Sequence, residues 1–342
     1  MFVQPVLKIF PEEFCVRENL VLPRCSSEGR FFYYYLFKIG YSTFDAVSII
    51  SEILKINKSS LTYAGLKDED GQTEQLICSD QLLSWNKIRK LNEQFSNGEK
   101  TVYLTYHGRG NFPVSIGNLN GNGFYVVVRN VDQRVEDHFN FRREQFHFLN
   151  YYDTQRFGLP HKPKVTHKIG SALSRNQYDE AAHYLKLSGS RESNVIQDSP
   201  NACAFFKEEV DHRLYSFYLS SHGSYLWNNK LNNFVTNEFI ATSSNYDTDG
   251  FTYNYLRNQR EVLDLMLKKD NIKYLRTSMK ENRSIHRSYS HRSTVVSTQV
   301  NILSVEEDDL FPGKIKIHLS FFLPSGSYAT CLIKQYIFRF YK

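Results

Sequence analysis

The stretch LTYAGLKDEDGQTEQ, Leu61–Gln75, reads as a short strand (LTYAGL), a charged turn (KDEDGQT) and the start of a return strand, EQLIC. A strand folded back on itself is an antiparallel pair, and the surroundings decide what kind of sheet it joins. Taken alone, the turn is a charged hairpin tip.

Upstream, VLKIFPEEFCVREN (Val6–Asn19) alternates around Pro11, which gives a strand, a turn and a second strand carrying Phe14, Val16 and Glu18. The run FFYYYLFKI, Phe31–Ile39, lies between Gly29 and Gly40 and reads as a buried strand. Ser42 and Thr43 can cap a helix whose apolar positions Phe44, Val47, Ile50 and Leu54 recur at helical spacing, ending near Asn57. Downstream, the pattern predicts a helix over Gln81–Phe95, strands over Val102–Tyr106 and Phe124–Arg129, and a helix over Val131–Asn150. Hairpins mixed with crossovers argue for an α+β fold, not a doubly wound one.

Beyond Gly158 the texture changes, beginning with the basic stretch HKPKVTHK, His161–Lys168. Helices are predicted around Ile169–Leu187, Ala204–Val235 and Asn258–Lys273, joined by Ser- and Asn-rich segments. The last fifty or so residues return to strands, with KIKIHLSFFL (Lys314–Leu323) alternating well and QYIFRFY (Gln335–Tyr341) close behind. Strand-rich, helical, then strand-rich again implies an insertion, with the C-terminal strands completing the first sheet.

A chain of 342 residues is long enough for two packed cores. With 41% hydrophobic and 23% charged residues it has a soluble globular composition, and no apolar run approaches the roughly 18 residues that span a bilayer. The N-terminus, MFVQPVLKIFPEEF, lacks the pattern of a secretory signal, so a cytoplasmic protein without a membrane partner is expected. Five cysteines (15, 25, 78, 203, 331), with no CxxC pair, argue against structural zinc and a disulfide framework. The net charge of +6 suits almost any soluble protein as well as a polyanion binder. The 15% aromatic content fits core packing or base stacking.

Metal and nucleotide chemistries find no support. Asn245, Asp247, Asp249 and Gly250 imitate half a calcium loop, but Leu256 stands where a bidentate glutamate is needed. His161/His167 and His286/His291 lack zinc spacing and sit among cations. There is no G-x-S-x-G elbow, P-loop or dinucleotide fingerprint.

Three further segments are dense in residue types that are costly unless used. GNLNGNGFYVVVR (Gly117–Arg129) leads into a strand through glycines, NYYDTQRFG (Asn150–Gly158) packs an amide, two tyrosines and an arginine together, and LPSGSYAT (Leu323–Thr330) is a turn leading into a strand or helix. With the first stretch, in this order, they resemble the TruD family of tRNA pseudouridine synthases. The pattern A-G-x-K-D is met by Ala64, Gly65, Lys67 and Asp68, and T-x-Q by Thr73 and Gln75. G-x-L-x-G-N-x-F is met by Gly117, Leu119, Gly121, Asn122 and Phe124, and N-[YF]-[FY]-x-x-Q-R-F-G by Asn150 to Gly158. L-P-x-G-S-[YF]-A-T is complete, and Phe14, Val16 and Glu18 match F-x-V-x-E. Asp153 stands where glycine is common and Tyr152 where many members carry phenylalanine. Ser221–Asn228, SHGSYLWN, is similar to the family's helical S-x-L-[FW]-N signature.

The resemblance implies a pseudouridine-synthase domain with a mixed, mostly antiparallel sheet over 1–165 and 291–342, and an inserted, mainly helical α/β TRUD domain over 166–290. It implies a cofactor-free and metal-free isomerisation of uridine, with position 13 of tRNA as the expected target and Asp68 as the carboxylate at ribose C1′, either as nucleophile or as a base at C2′. Lys67 is the nearest cation in sequence for Asp68, unless it points away, and Arg156 is the alternative. Tyr152 is assigned as the stacking ring, Asn150 as an amide partner of the base and Glu18 as an active-site support. Lys162, Lys164 and Lys168, with Lys268, Lys269, Lys273, Arg276, Lys280, Arg283, Arg287 and Arg292, are candidates for the tRNA backbone. The partner implied is tRNA and the expected state a monomer. The rival readings are a non-catalytic RNA-binding protein on the same fold and a base-releasing glycosidase.

Overall fold

The structure, a computed structural model, describes residues 4–21, 28–96, 99–115, 118–139, 142–197, 199, 201–279 and 284–341. Cys25, Gly117, Lys280 and Arg283 lie outside the described residues. The chain runs β1 (Phe14–Leu20), β2 (Phe31–Ile39), α1 (Thr43–Leu54), β3 (Leu61–Tyr63), β4 (Gln72–Ser79) and α2 (Trp85–Phe95). Then come β5 (Thr101–Gly110), β6 (Leu119–Asp132), β7 (Arg143–Leu149), α3 (Thr166–Ser174), α4 (Tyr178–Leu187), α5 (Arg191–Val195) and the short turn α6 (Ala202–Ala204). The long α7 (His212–Glu238) precedes β8 (Ser243–Thr248), β9 (Phe251–Leu256), α8 (Gln259–Lys268), β10 (Asn271–Met279) and β11 (Ile285–Ser293). Finally β12 (Val295–Glu307), β13 (Lys314–Pro324) and α9 (Ala329–Phe338) close the chain.

These elements form two compact units. Unit 1 comprises the described part of 1–146 with Thr298–Gly326 and Tyr341, and unit 2 comprises His147–Ser297 with Ser327–Phe340. β7 and β12 carry the chain across the divisions at 146/147 and 297/298.

Unit 1 is built on a mixed sheet in the order β5-β2-β4-β1-β6-β13-β12-β7, with β3 also paired to β4. The β1–β4 pair is parallel, whereas β2 is antiparallel to both β4 and β5, and β6 to both β1 and β13. The alternation in β2 sends Tyr34 and Leu36 into a core with Ala46, Val47, Ile50 and Leu54 of α1 and Ile88 and Leu91 of α2. The Ser42 hydroxyl caps α1, accepting from the Asp45 N–H at 3.1 Å. On the interior strand β6 the buried Arg129 guanidinium donates to Glu13 at 2.7 Å, Asp308 at 2.7 Å and Asp309 at 2.8 Å. That network ties β6 to the turn before β1 and the turn between β12 and β13.

In unit 2, α3 and α7 cross closely because Gly170 has no side chain: a Cβ there would strike the Tyr218 carbonyl. The segment that only imitates half a calcium loop ends in the tip of the β8–β9 hairpin, with Asp249 at φ 50° and Gly250 at φ 81°, the left-handed pair that a two-residue hairpin turn needs. Among the described residues no helix is long and apolar enough to cross a membrane.

The helix expected around Ile169–Leu187 is split into α3 and α4, the one expected around Ala204–Val235 is broken before His212, and three further predicted elements differ in type or extent. The helix expected over Val131–Asn150 is the end of β6, a 3-10 segment (Gln133–Phe139) and β7, because the buried Phe146 and Phe148 lie two apart, a strand period. The helix expected over Asn258–Lys273 stops at Lys268, and Ile272 and Tyr274 are buried at strand spacing in β10. QYIFRFY, expected as a strand, belongs to α9, whose Leu332, Ile333, Tyr336 and Ile337 are buried at helical spacing. Aromatic richness resembled β propensity, and burial on one helical face overrode it.

Candidate active site

β3 ends at Tyr63, and the chain from Ala64 to Gly71 is irregular before β4 begins. An irregular turn leaves its backbone groups to be satisfied from outside. Here the surrounding elements supply partners. The Gln75 side chain donates to the Gly65 carbonyl at 3.1 Å and accepts from the Thr43 hydroxyl at 3.0 Å, and that hydroxyl accepts from the Lys67 N–H at 2.9 Å. The Lys38 ammonium donates to the carbonyls of Lys67 at 3.2 Å, Asp68 at 2.7 Å and Tyr41 at 2.9 Å. The Gly40 N–H reaches the Glu69 carbonyl at 3.1 Å. Gly71 passes so near Phe14 that a Cβ would lie 2.5 Å from its carbonyl oxygen. The charged hairpin tip is thus a clamped backbone, and residues 65, 67, 68 and 69 each give a carbonyl to a partner in the unit.

From this clamped turn the Asp68 side chain, one-third exposed, meets Lys8, whose Nζ is 2.5 Å from Oδ2. Lys8 has a left-handed backbone (φ 61°), and its ammonium also lies 4.3 Å from the Phe14 ring centroid. Such a conformation costs a non-glycine residue about 1 kcal/mol, so the surroundings hold it in place. Oδ1 of Asp68 has no hydrogen-bond partner among the described residues. A carboxylate oriented through one oxygen and open at the other can act on a substrate.

Lys67, the nearest cation in sequence, turns the other way. Its Nζ lies 2.5 Å from Oε1 of Glu18 on β1, both side chains are buried, and Oε2 of Glu18 accepts from the Leu76 N–H at 3.1 Å. Burial pushes the Glu18 carboxyl above the ordinary glutamate range, against the pull of Lys67 and the Leu76 N–H. In unit 1 the structure therefore brings together Glu18, Lys67 and Asp68, with Lys8 and Lys38 added.

In unit 2 the segment Asn150–Gly158 is gripped by α7. The Trp227 indole donates to the Asn150 carbonyl at 3.1 Å, the Asn228 amide both donates to Tyr152 O at 2.8 Å and accepts from Tyr152 N at 2.9 Å, and the Ser221 hydroxyl donates to Arg156 O at 2.9 Å. SHGSYLWN is thus the set of side chains that fixes this loop. Arg292 donates to Asn150 Oδ1 at 2.6 Å and to its carbonyl at 3.1 Å, and its guanidinium lies 3.9 Å from the Tyr152 ring centroid. Asn150 Nδ2 donates to Ser293 O at 3.0 Å. The Tyr152 hydroxyl meets that of Tyr274 at 3.1 Å. Burial opposes its phenolate, but Arg292, the Tyr274 hydroxyl and Arg156 outweigh burial and hold the phenol below the ordinary tyrosine range.

Arg156 donates to the hydroxyls of Ser220 at 2.6 Å and Ser224 at 3.3 Å and lies over the Phe217 ring. Asp153, unusual for the family pattern, accepts from the Thr330 hydroxyl and faces Lys334 at 3.6 Å. Its carboxylate thus ties the loop to α9.

The basic candidates divide. Lys162, Lys168, Lys268, Lys269, Lys273, Arg276 and Arg287 are exposed, although Lys268 pairs with Glu238 at 3.1 Å and Arg287 donates to Ser174 O. Lys164 is buried along its side chain and staples its own loop through Leu159 O at 2.6 Å, and Arg292 is engaged by Asn150 and Tyr152. Among the described residues no three His, Cys, Asp or Glu side chains gather as a metal-ligand set. Lys8 and Lys38 escaped the sequence reading. Nothing near Lys8 marks it, but Lys38 is the one charge in an apolar strand, a position costly unless used.

The family model for tRNA pseudouridine synthase D (TruD) matches residues 3–205. A tRNA pseudouridine synthase D from Leptospira interrogans is 25% identical over 401 residues, covering 97% of this chain and 96% of the relative. Another, from Aquifex aeolicus, is 34% identical over 190 residues, 54% of this chain and 47% of the relative. The fold is similar to the crystal structure of a chain assigned to TruD from Methanosarcina mazei, with TM-score 0.58 and 19% identity over 98% of this chain and 94% of that one.

Proposed function

Because the chain belongs to the TruD family of tRNA pseudouridine synthases, we propose that it isomerises a uridine of tRNA to pseudouridine with Asp68 as the reactive carboxylate. The observation that carries this reading is the Asp68 carboxylate itself, oriented by Lys8 on a turn whose backbone is clamped from three sides.

The reaction breaks the bond from uracil N1 to ribose C1′, turns the base and joins C5 to C1′. N1 gains a proton and the C5 hydrogen leaves to solvent, so nothing is oxidised or transferred to a second molecule. Cleavage builds positive charge at C1′, which a facing carboxylate traps or stabilises. The same carboxylate as a base at C2′ would give a glycal, and deuterium at C2′ would slow only that route.

A uridine inside folded tRNA is extruded before it reacts, and a flipped base is held by stacking. Tyr152, partly exposed beside Arg292, is the ring for this role. Asn150, bonded through both ends of its amide, shapes the site by holding Arg292. Glu18 and Lys67 support the turn, and Arg156 is a phosphate contact or a brace for the loop. Residues 166–290 form the inserted TRUD domain, and exposed lysines such as Lys162, Lys168, Lys268 and Lys269 meet the tRNA backbone. Uridine 13 is the target, and the enzyme works as a cytoplasmic monomer.

Transfer RNA carrying C5-tritiated uridine tests the reading. The synthase releases tritium to water without releasing uracil, and Asp68→Asn abolishes that release. Full release from Asp68→Asn would remove Asp68 from the chemistry, free uracil would mark a glycosidase, and neither product would mark an RNA-binding protein. Mapping pseudouridine in the tRNA of a deletion strain identifies the position modified.

A further inference from the structure

Lys38 lies on the face of β2 that carries Tyr34 and Leu36, and it is 0% exposed. An ammonium has three N–H donors and no lone pair. Its Nζ meets three carbonyl oxygens: Tyr41 at 2.9 Å, Lys67 at 3.2 Å and Asp68 at 2.7 Å. Three donors against three acceptors satisfy the charged form completely, whereas a neutral amine would turn its lone pair toward one of the oxygens. Two of these acceptors belong to the residues that bear the Glu18 ion pair and the exposed carboxylate. The third belongs to Tyr41, on the approach to α1, whose Thr43 hydroxyl binds the Lys67 N–H.

We propose that the Lys38 ammonium is a positioning residue for Asp68, gathering these three carbonyls so that the carboxylate is aimed, and that turnover falls when this amine gives up its proton. The inference rests on Asp68 being the reactive carboxylate. It extends that reading from the carboxylate to the group beneath it.

The charged groups facing Lys38 come from two segments. Burial opposes the ammonium first, Lys67 and Lys8 add to that opposition, and Asp68 and Glu69 oppose it in turn, so the amine is lowered to about 8. The unfolded chain keeps its proton up to the ordinary lysine range near 10.5. Between those values the unfolded state binds more protons, so the Lys38 contribution to stability rises with pH. Activity and this contribution therefore move in opposite directions, which ordinary alkaline unfolding cannot do.

The test uses the full chain and single-turnover tritium release from C5-tritiated tRNA, measured from about pH 6 to pH 9 beside the stability of the same samples. The wild-type rate falls above about pH 8 while the protein stays folded. Lys38→Met lowers the rate at neutral pH by about 10-fold or more, keeps tRNA affinity within about 2-fold, and lacks the alkaline step. A wild-type rate that holds level to the top of that range overturns the proposal without any variant. So does a folded Lys38→Met within about 2-fold of wild type. Where Lys38→Met does not fold, Lys38→Ala is assayed with propylammonium, and restored release supports the proposal whereas unrestored release opposes it. Asp68→Asn runs alongside: if it turns over like wild type, the reading of Asp68 fails, and if it is inactive while Lys38→Met is normal, only the role of Lys38 fails.

Discussion

Lys67 Nζ lies 2.5 Å from Glu18 Oε1, so the lysine that precedes Asp68 in the chain neutralises a different carboxylate. The two side chains are 6% and 2% exposed. Removing the cation of such a pair leaves a buried carboxylate, and Lys67→Met is expected to lower the unfolding free energy by about 3 kcal/mol in urea titrations. Glu18→Leu combined with Lys67→Met recovers most of that loss, because both charges go. A single-variant loss below about 1 kcal/mol would contradict a buried pair.

Acid sensitivity follows from the same pair. The folded pKa of Glu18 is raised above its ordinary 4.5, so the folded state takes up its proton first as pH falls. In that window the contribution of Glu18 to stability grows with falling pH while its ion pair with Lys67 dissolves. Tritium release is therefore expected to fall at a pH above 4.5, with circular dichroism unchanged, and the step disappears in Glu18→Gln.

Lys8 separates aiming from stability. Lys8→Gly removes the cation beside Asp68 and relieves a left-handed backbone at once. The expected result is stability within about 1 kcal/mol of wild type and tritium release reduced by about 10-fold or more. Undiminished release would show that Asp68 needs no cation.

Two glycines of the turn should respond unequally. A Cβ on Gly71 would lie 2.5 Å from the Phe14 carbonyl oxygen, and on Gly65 no nearer than 3.5 Å to Lys67 Nζ. Gly71→Ala is expected to cost about 2 kcal/mol and Gly65→Ala less than about 0.5 kcal/mol, measured as shifts in unfolding midpoint.

In unit 2, Arg292→Met removes the guanidinium 3.9 Å from the Tyr152 ring centroid. The Tyr152 phenol should then titrate at higher pH, because burial is no longer outweighed. Ultraviolet absorbance of tyrosinate, with Tyr152→Phe as the blank, reads the change. An unmoved step would mean that Tyr274 and Arg156 set the phenol.

The sequence by itself determined what depends on neighbours along the chain. β-rich composition between two glycines marked β2, alternation marked β13, Ser42 marked the start of α1, and five ordered motifs carried the family and the candidate carboxylate. It failed where aromatic richness and period disagreed, at β7, β10 and α9, because burial on one face is a property of the packed element. Only the tertiary structure decided which cation serves which carboxylate. Lys8, Lys38 and Lys67 are alike as charges, and their partners are chosen by the directions in which the segment before β1, β2 and the turn present them. It also showed that Gln75, Thr43, Trp227 and Asn228 hold backbone, a role that side-chain identity alone cannot reveal because the bonded groups are common to every residue.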